Sequence, residues 1–323
     1  MELKRLSFSH KPSKLLYYTK NYFRLIIPAY FYNTNLEIAC SKLDSSTLES
    51  IKKRVDYYNK LKEPFELSKE AILLSDLKLK NNIKTYFFDL IKYLKYFPSH
   101  YKVTYLFGDV TSIPDEPCIV KSRPISEDNQ NSVLLNLNKV RHFIFIKNDK
   151  LQFQDKQNML VSRGKVHPSQ PHRIKFLEKY FDHPMCNIGM VNRNNLKKEW
   201  KVSRMTISEQ LRFKFILCLE GNDVASNLKW VMSSNSIAVM PTPKYETWFM
   251  EGRLIPDYHY IHIEDDYSNL ETKLNYYLNH PEKALGIIEN AHAFIDQFMD
   301  KRKENLVSLL VLNKYFTKTM QKQ

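Results

Sequence analysis

The chain has 323 residues, of which 43% are hydrophobic and 26% are charged. These values are ordinary for globular proteins and exclude a disordered or collagen-like chain, and the length predicts about two domains. The formal net charge of +14 favours polyanionic partners such as nucleic acids, anionic lipid head groups or phosphorylated sugars. Zinc-finger spacing, RNP-like motifs and basic regions ahead of heptads are missing from the sequence, so no specific nucleic acid is expected as a partner.

The start of the chain does not resemble a membrane span or a secretory signal. Its longest strongly apolar stretch, residues 25–32, is too short to cross a bilayer and contains Pro28. Residues 1–5 are basic, but neither the apolar run nor the cleavage site of a signal peptide follows them. We therefore expect a cytoplasmic protein. The four cysteines are far apart and form no CxxC pair, which predicts buried free thiols rather than a zinc site.

The first 95 or so residues are predicted to be mainly helical. Capping residues at Ser45 and Ser68 predict two helices, the second of which runs through Ile72 and Leu77. Residues 14–32 combine several aromatic side chains with Lys and Arg. This segment is either a helix packed on the core or a helix that docks on an anionic membrane surface.

From residue 102 onward, short β-branched and aromatic runs alternate with helical stretches, which predicts a parallel α/β sheet. The predicted strands are Val103–Phe107, Cys118–Lys121, His142–Ile146, Met159–Val161, Phe213–Leu219, Ser236–Met240 and His259–Ile263. Residues 213–240 form the clearest unit, with strand, helix and strand in succession. Helices return after residue 260. A change of pattern places a domain boundary near residue 155, which separates domains 1–155 and 156–323.

Three of the six glycines follow predicted strands, at Gly108, Gly164 and Gly221. Parallel α/β units bind ligands at the carboxyl ends of their strands, and glycine allows the backbone to turn sharply or to approach a ligand closely there. Taken singly, each glycine is also compatible with a simple turn between strand and helix.

Motifs for other classes of enzyme are missing. The sequence contains no Walker loop, no GxGxxG and no GxSxG. The acidic run at residues 264–266 is the nearest candidate for holding a cation on a diphosphate, but acidic residues are also favoured before a helix. We favour the second interpretation and expect no metal site.

Several motifs between residues 213 and 270 together resemble glycosyltransferase family 90, which is the lipopolysaccharide A protein family and includes Rumi-type protein O-glucosyltransferases. The motifs are Phe213-Lys214-Phe215, Glu220-Gly221, Ala225 to Trp230, Ser233 to Ser236, Glu246 to Phe249, Leu254 to Tyr260 and Ser268 to Leu270. Upstream, Arg163-Gly164 with Arg173 and Gly108-Asp109 are similar to segments of the same family, and residues 110–145 look most like its bacterial lipooligosaccharide branch.

The resemblance implies an α/β, GT-B-like fold in which two Rossmann-like domains face a cleft, here with extra N-terminal and C-terminal helices. The N-terminal domain would take the acceptor and the C-terminal domain a UDP-sugar. The implied activity is an inverting transfer of a hexose, glucose or galactose, from UDP to the inner core of lipopolysaccharide or lipooligosaccharide. No cofactor and no essential metal are implied.

The resemblance also implies roles for individual residues. Asp109 would be the catalytic base that takes the proton of the acceptor hydroxyl, although an Asp at this position also caps turns. The donor would be bound by Arg163, Gly164, Arg173, Glu220, Gly221, Ser226 and Lys229. Without a cation, Arg, Lys and backbone N–H groups must stabilise the leaving UDP. The alternative for Lys229 is an ordinary surface lysine on a helix.

The expected partners are UDP-glucose or UDP-galactose, a lipid A-core oligosaccharide as acceptor, and an anionic membrane surface. A phosphorylated, lipid-linked acceptor places the protein in the cytoplasm, at the inner face of the cytoplasmic membrane. Two alternatives stay open at this point. One is a protein O-glycosyltransferase of the same family, and the other is a non-catalytic basic protein that binds polyanions.

Overall fold

The computed structural model describes residues 10–32, 34–79 and 83–321. In chain order, the helices and strands are α1 (Lys14–Ile26), α2 (Leu36–Ser41), α3 (Ser45–Tyr58), β1 (Ile72–Leu73), α4 (Lys84–Leu94), β2 (Lys102–Val103), β3 (Tyr105–Leu106), β4 (Cys118–Val120), β5 (Ser122–Pro124), β6 (Ser132–Leu134), α5 (Lys139–His142), β7 (Gln157–Gly164), α6 (Pro171–Tyr180), β8 (Cys186–Met190), α7 (Ile207–Gln210), β9 (Phe213–Leu217), α8 (Leu228–Met232), β10 (Ile237–Met240), β11 (Tyr245–Thr247), β12 (Ile261–His262), α9 (Leu270–Asn279), α10 (Pro281–Asp296) and α11 (Lys301–Lys318). The predicted α/β class with parallel sheets is confirmed. Within these ranges, no helix combines the length and the apolar character needed to cross a bilayer.

Contacts divide the chain into two units. We call them the five-stranded unit, which holds residues 10–12, His142–Pro243 and Arg253–Gln297, and the three-stranded unit, which holds Ser13–Arg141, Lys244–Gly252 and Phe298–Gln323. Each unit is therefore built from separate stretches of sequence. The predicted domains 1–155 and 156–323 divide the chain differently, and that division stays a prediction.

The five-stranded unit contains a wholly parallel sheet in the order β12-β10-β9-β7-β8. The predicted strand-helix-strand unit is present as β9, α8 and β10, with Phe215 opposite Ile237 in the parallel register. Its core is apolar on both faces of the sheet, which is expected for parallel strands covered by helices. Fully buried members include Leu160, Phe215, Val239 and Ile261.

The three-stranded unit contains a smaller parallel sheet in the order β3-β4-β6. Helix α11 packs against α3 and α4 of the same unit. Tyr58 on α3 stacks on Trp248 with ring centroids 3.8 Å apart, and Trp248 Nε1 donates to Glu304 of α11 over 2.6 Å. Stacked aromatic rings with satisfied polar atoms fix the position of this last helix.

The predicted strand at His142–Ile146 is wrong. Helix α5 ends at His142, and the residues after it have irregular backbone. The rings of Phe143 and Phe145 meet edge to face at 5.3 Å, and the Ile146 N–H donates to Ser233 Oγ over 2.8 Å. For Ile146, a side-chain hydroxyl therefore accepts the N–H hydrogen bond that a carbonyl of a neighbouring strand would otherwise accept. The predicted strand Val103–Phe107 is divided into β2 and β3, which pair with β1 and β4 respectively. The remaining predicted strands are present with changed bounds, and the strand predicted at Met159–Val161 is longer, as β7.

The predicted helix after Ser68 is also wrong. Ile72 and Leu73 form β1, which pairs antiparallel with β2. The Ser68 backbone N–H and hydroxyl both donate to the Glu116 carboxylate, over 2.9 and 3.0 Å. Ser68 thus ties its loop to another segment instead of capping a helix. The thiols of Cys118, Cys186 and Cys218 are free and buried as predicted, whereas Cys40 is half-buried.

Candidate active site

The strand order of the five-stranded unit contains a reversal. Strand β7 comes first along the chain, and its two neighbours β8 and β9 lie on opposite sides of it. Because crossovers between parallel strands are right-handed, the connections on the two sides leave toward opposite faces of the sheet. This strand order predicts a crevice beyond the carboxyl ends of β7 and β9, which is the usual ligand site of parallel α/β sheets.

Arg173 spans this crevice. Its Nη1 donates to the Lys165 carbonyl after β7 over 2.6 Å, while Nε and Nη2 donate to the carbonyls of Glu220 and Leu219 after β9, over 2.7 and 2.8 Å. Burial lowers the pKa of this guanidinium. A guanidinium carries five N–H groups, and three of them hold the two strand ends together.

Two glycines at the ends of these strands border the same guanidinium: Gly164 is the last residue of β7, and Gly221 lies in the loop after β9. A Cβ atom at Gly164 would lie 3.5 Å from Arg173 Nη1, and one at Gly221 would lie 3.6 Å from Nη2. The structure thus brings together four of the predicted donor-binding residues: Gly164, Arg173, Glu220 and Gly221. All four lie at the reversal of strand order.

Arg163 is directed elsewhere. Its Nη1 and Nη2 donate to the backbone and side-chain oxygens of Asn187 on β8, over 2.7 and 2.6 Å. Its Nε donates to the Ser203 carbonyl over 3.0 Å. These contacts link β7 to β8 rather than to the loop after β9, so Arg163 does not join the group around Arg173.

The last two predicted donor residues lie near α8. Ser226 is exposed and comes just before this helix. Lys229 is only 1% exposed, so the alternative of an ordinary surface lysine is wrong. Its positive charge opposes the rise that burial causes in the pKa of Cys218, just beyond β9. Lys229 therefore places a buried cation near the same strand end as Gly221.

The predicted base lies in the three-stranded unit, beyond the carboxyl end of β3. Gly108 has a φ of +114°, a conformation that only glycine adopts without strain, and it turns the chain into Asp109. Strand β4 is the parallel neighbour of β3, and Lys121 is the first residue after it. Lys121 Nζ lies 2.6 Å from Asp109 Oδ1.

The Asp109 and Lys121 side chains differ in exposure. The Lys121 side chain is 3% exposed and the Asp109 side chain is 37% exposed. A buried ammonium group next to a carboxylate favours the ionised form of the carboxylate. The pair therefore presents an ionised carboxylate at the surface, which is the state that a general base requires.

Lys121 is a residue that the sequence analysis missed as a site residue, because it was assigned to the strand itself. The available signal is a lysine that directly follows a run of three apolar residues, Cys118–Val120, which the structure buries. A charged side chain at the end of such a strand needs an ionic partner. The partner could not be identified before the pairing of β3 with β4 was known.

The acidic run at residues 264–266 forms a turn before α9. Asp266 Oδ1 accepts the Ser268 N–H over 2.9 Å, and this hydrogen bond lowers the pKa of Asp266. The turn agrees with the interpretation as a helix-start cluster. Across residues 10–32, 34–79 and 83–321, no three His, Cys, Asp or Glu side chains form a group that would suit a metal ion.

Comparisons with known sequences agree with the resemblance to glycosyltransferase family 90. The family model for glycosyl transferase family 90 matches residues 131–321. The O-glucosyltransferase LpsA of Dichelobacter nodosus is 44% identical over 268 residues, which is 83% of each chain. A solved C-terminal domain of a glycosyl transferase group 1 family protein, LpcC from Francisella tularensis, has 11% identity and a TM-score of 0.33 over 47% of this chain and 93% of its own.

Proposed function

Since this chain belongs to glycosyl transferase family 90 and is a glycosyltransferase, we propose that it transfers a hexose from a UDP-sugar to the inner core of lipopolysaccharide or lipooligosaccharide. The transfer inverts the anomeric carbon and needs no metal ion. Glucose is favoured over galactose because the relative from Dichelobacter nodosus is named an O-glucosyltransferase. Family membership removes the non-catalytic alternative.

The single observation that carries the mechanism is the Asp109–Lys121 pair. Asp109 accepts the proton of an acceptor hydroxyl while the oxygen of that hydroxyl attacks the anomeric carbon of the sugar. The bond from that carbon to the UDP oxygen breaks as the new glycosidic bond forms on the opposite face. Lys121 keeps Asp109 ionised until the proton arrives, and so acts as a positioning residue.

The donor side of the proposal rests on the crevice beyond β7 and β9. As UDP leaves, negative charge grows on its diphosphate, and preorganised donors stabilise this charge most effectively. Arg173 and Lys229 supply positive charge there, and Gly164 and Gly221 allow the backbone to approach the phosphates. Glu220 and Ser226 border the same loop. Donor binding by Arg163 stays a prediction, because its guanidinium is held by Asn187 and Ser203.

The proposed acceptor is supported by the net positive charge of the chain. A net charge of +14 attracts a phosphorylated, lipid-linked oligosaccharide such as lipid A-core. The same charge favours activity at the anionic cytoplasmic face of the membrane. The GT-B-like arrangement of two Rossmann-like domains belongs to the same proposal. A hydroxyl of a protein remains the alternative acceptor.

Radiolabelled transfer from UDP-glucose and UDP-galactose to purified core oligosaccharide tests this proposal. We expect transfer of glucose that survives EDTA and gives a product of inverted anomeric configuration by NMR. Loss of transfer in EDTA would contradict metal independence. Transfer to peptide hydroxyls with none to oligosaccharide would point to the protein-directed alternative.

Two variants test the base. Asp109→Asn should lower kcat by about 10²-fold or more, the range for loss of a general base, while UDP binding in calorimetry stays unchanged. Asp115→Asn is the matched control, because Asp115 is an exposed acid of the same unit. Full activity of Asp109→Asn would refute the assignment. Lys121→Met should move the acid limb of the pH-rate profile to higher pH, which a purely structural role would not do.

A further inference from the structure

Helix α1 faces solvent with its apolar side. Leu15, Leu16, Phe23 and Ile26 are 79%, 68%, 65% and 78% exposed. The inward side carries Tyr17 and Tyr18, whose rings contact Phe88 of α4 edge to face. Asn21 is buried, and the Tyr17 hydroxyl donates to Asp89 of α4 over 3.0 Å. One side of the helix therefore packs on α4, and a second, apolar side is left facing solvent, where an amphipathic helix usually carries polar residues.

The apolar surface continues past the end of α1. Tyr30 and Phe31 lie in the short turn that follows, and they are 89% and 72% exposed. Their rings contact each other edge to face at 5.7 Å. Clustered aromatic and aliphatic side chains of this kind mark a contact surface rather than the scattered apolar residues found on any protein.

A basic cavity of about 280 Å³ lies beside this surface. Its lining includes three cationic side chains and three aromatic ones, and the complete set is Lys20, Phe23, Arg24, Ile27, Tyr32, Lys92 and Tyr96. Phe23 thus belongs both to the exposed apolar side of α1 and to the wall of the cavity. The apolar surface and the cationic groups are therefore continuous.

The positive charges of the cavity repel one another. Burial lowers the pKa of Lys92, and the nearby charges of Lys139 and Arg24 lower it further, while the Tyr93 hydroxyl, which accepts from Lys92 Nζ over 2.9 Å, raises it. Lys92 Nζ also donates to Asn305 Oδ1 over 2.5 Å. Asp89, the buried carboxylate of α4, accepts hydrogen bonds from Tyr17 and from the Lys139 backbone N–H, over 3.0 and 2.8 Å. An anion in the cavity would reduce this repulsion.

We propose that this side of the three-stranded unit docks on an anionic lipid bilayer. Leu15, Leu16 and Ile26 enter the boundary between head groups and acyl chains, the depth at which interfacial helices lie. The phosphate of an anionic lipid sits against Lys20, Arg24 and Lys92. Charge complementarity selects this occupant, because an apolar surface beside a cationic cavity matches the acyl chains and phosphates of such a bilayer. The inference rests on this surface alone and does not depend on the reaction.

Sedimentation with phosphatidylcholine vesicles, with and without phosphatidylglycerol, tests the proposal. We expect binding only when phosphatidylglycerol is present, with a strong dependence on salt. The double variant Leu16→Ser/Phe23→Ser should lower the vesicle partition coefficient about tenfold or more. Lys20→Gln should lower it about fivefold, the factor expected for one basic group near an anionic surface.

The matched control is Leu285→Ser/Met299→Ser, which removes two other exposed apolar side chains, 41% and 45% exposed. This control should bind vesicles as the parent does. Equal binding to neutral and anionic vesicles would overturn the proposal, and so would full binding by Leu16→Ser/Phe23→Ser. A dimer in solution that the same double variant dissociates, without any binding to vesicles, would show that α1 contacts a second copy of the chain.

A second readout separates this inference from the proposed reaction. Leu16→Ser/Phe23→Ser should transfer sugar to a water-soluble core oligosaccharide at the parent rate. Its KM for an acceptor embedded in anionic vesicles should rise, while kcat stays the same. Failure of the proposed reaction would remove transfer to both acceptors in the parent protein and leave vesicle binding unchanged.

Discussion

Replacing Arg173 with lysine should lower the free energy of unfolding by about 3 kcal/mol. The guanidinium donates to the carbonyls of Lys165, Leu219 and Glu220. A lysine ammonium group on a flexible stem lacks the planar fork, and we expect it to keep one of these three contacts. Each hydrogen bond from a charged donor contributes about 1.5 kcal/mol at the lower end of the usual range. Two lost bonds then give about 3 kcal/mol.

Urea unfolding measures this loss as a lower midpoint with an unchanged m-value. Arg193→Lys is the matched control, because Arg193 is exposed, and its effect should stay within about 0.5 kcal/mol. UDP affinity should fall in Arg173→Lys, because the ends of β7 and β9 are no longer joined. An Arg173→Lys protein as stable as the control would refute the view that this guanidinium holds the crevice together.

Two further predictions concern the interiors of the units. Glu246→Gln should lower the free energy of unfolding, measured in urea, by about 3 kcal/mol, because Glu246 forms a fully buried ion pair with Arg123 at 2.7 Å. The control Glu49→Gln breaks an exposed ion pair and should change the free energy of unfolding little. Equal losses of stability in the two variants would contradict this reasoning. Burial lowers the pKa of His259 below its ordinary value of 6.5. As the pH falls through 6.5, the unfolded chain therefore binds more protons at this residue than the native protein does. The free energy of unfolding should decrease as the pH is lowered through this range. His259→Asn keeps an acceptor for the Ile255 N–H and should flatten this pH dependence in thermal unfolding, whereas an unchanged slope would assign it to other groups.

The parts of the fold that depend on local pattern were predictable from the sequence. The apolar run at Phe213–Leu217, the turn at Gly221 and the helix at Leu228–Met232 follow one another within one short stretch, so their order along the chain already predicts a parallel unit. The positions of Gly164 and Gly221 at strand ends led to the crevice for the same reason. Strand β8 was missed because Asn187 and Gly189 interrupt its apolar pattern.

The other features depend on contacts between distant residues. Lys121 and Asp109 meet only because β3 and β4 are neighbours. The orientation of α1 depends on the contacts of Tyr17 with Asp89 and Phe88 of α4. His142–Ile146 has the β-branched and aromatic composition of a strand, but the Ile146 N–H bonds to Ser233 instead of a strand partner. Local propensity does not report which distant group satisfies a backbone N–H.

The interleaved composition of the two units has a consequence for synthesis on the ribosome. The five-stranded unit has its last segment when Arg253–Gln297 has been made, whereas the three-stranded unit still lacks Phe298–Gln323 at that moment. Helix α11, which packs against α3 and α4, lies in that final segment. Domains commonly fold in their order of synthesis. Here the three-stranded unit receives α11 only after the five-stranded unit has all of its segments, so the apolar residues of α3 that α11 covers remain available to chaperones until α11 has been made.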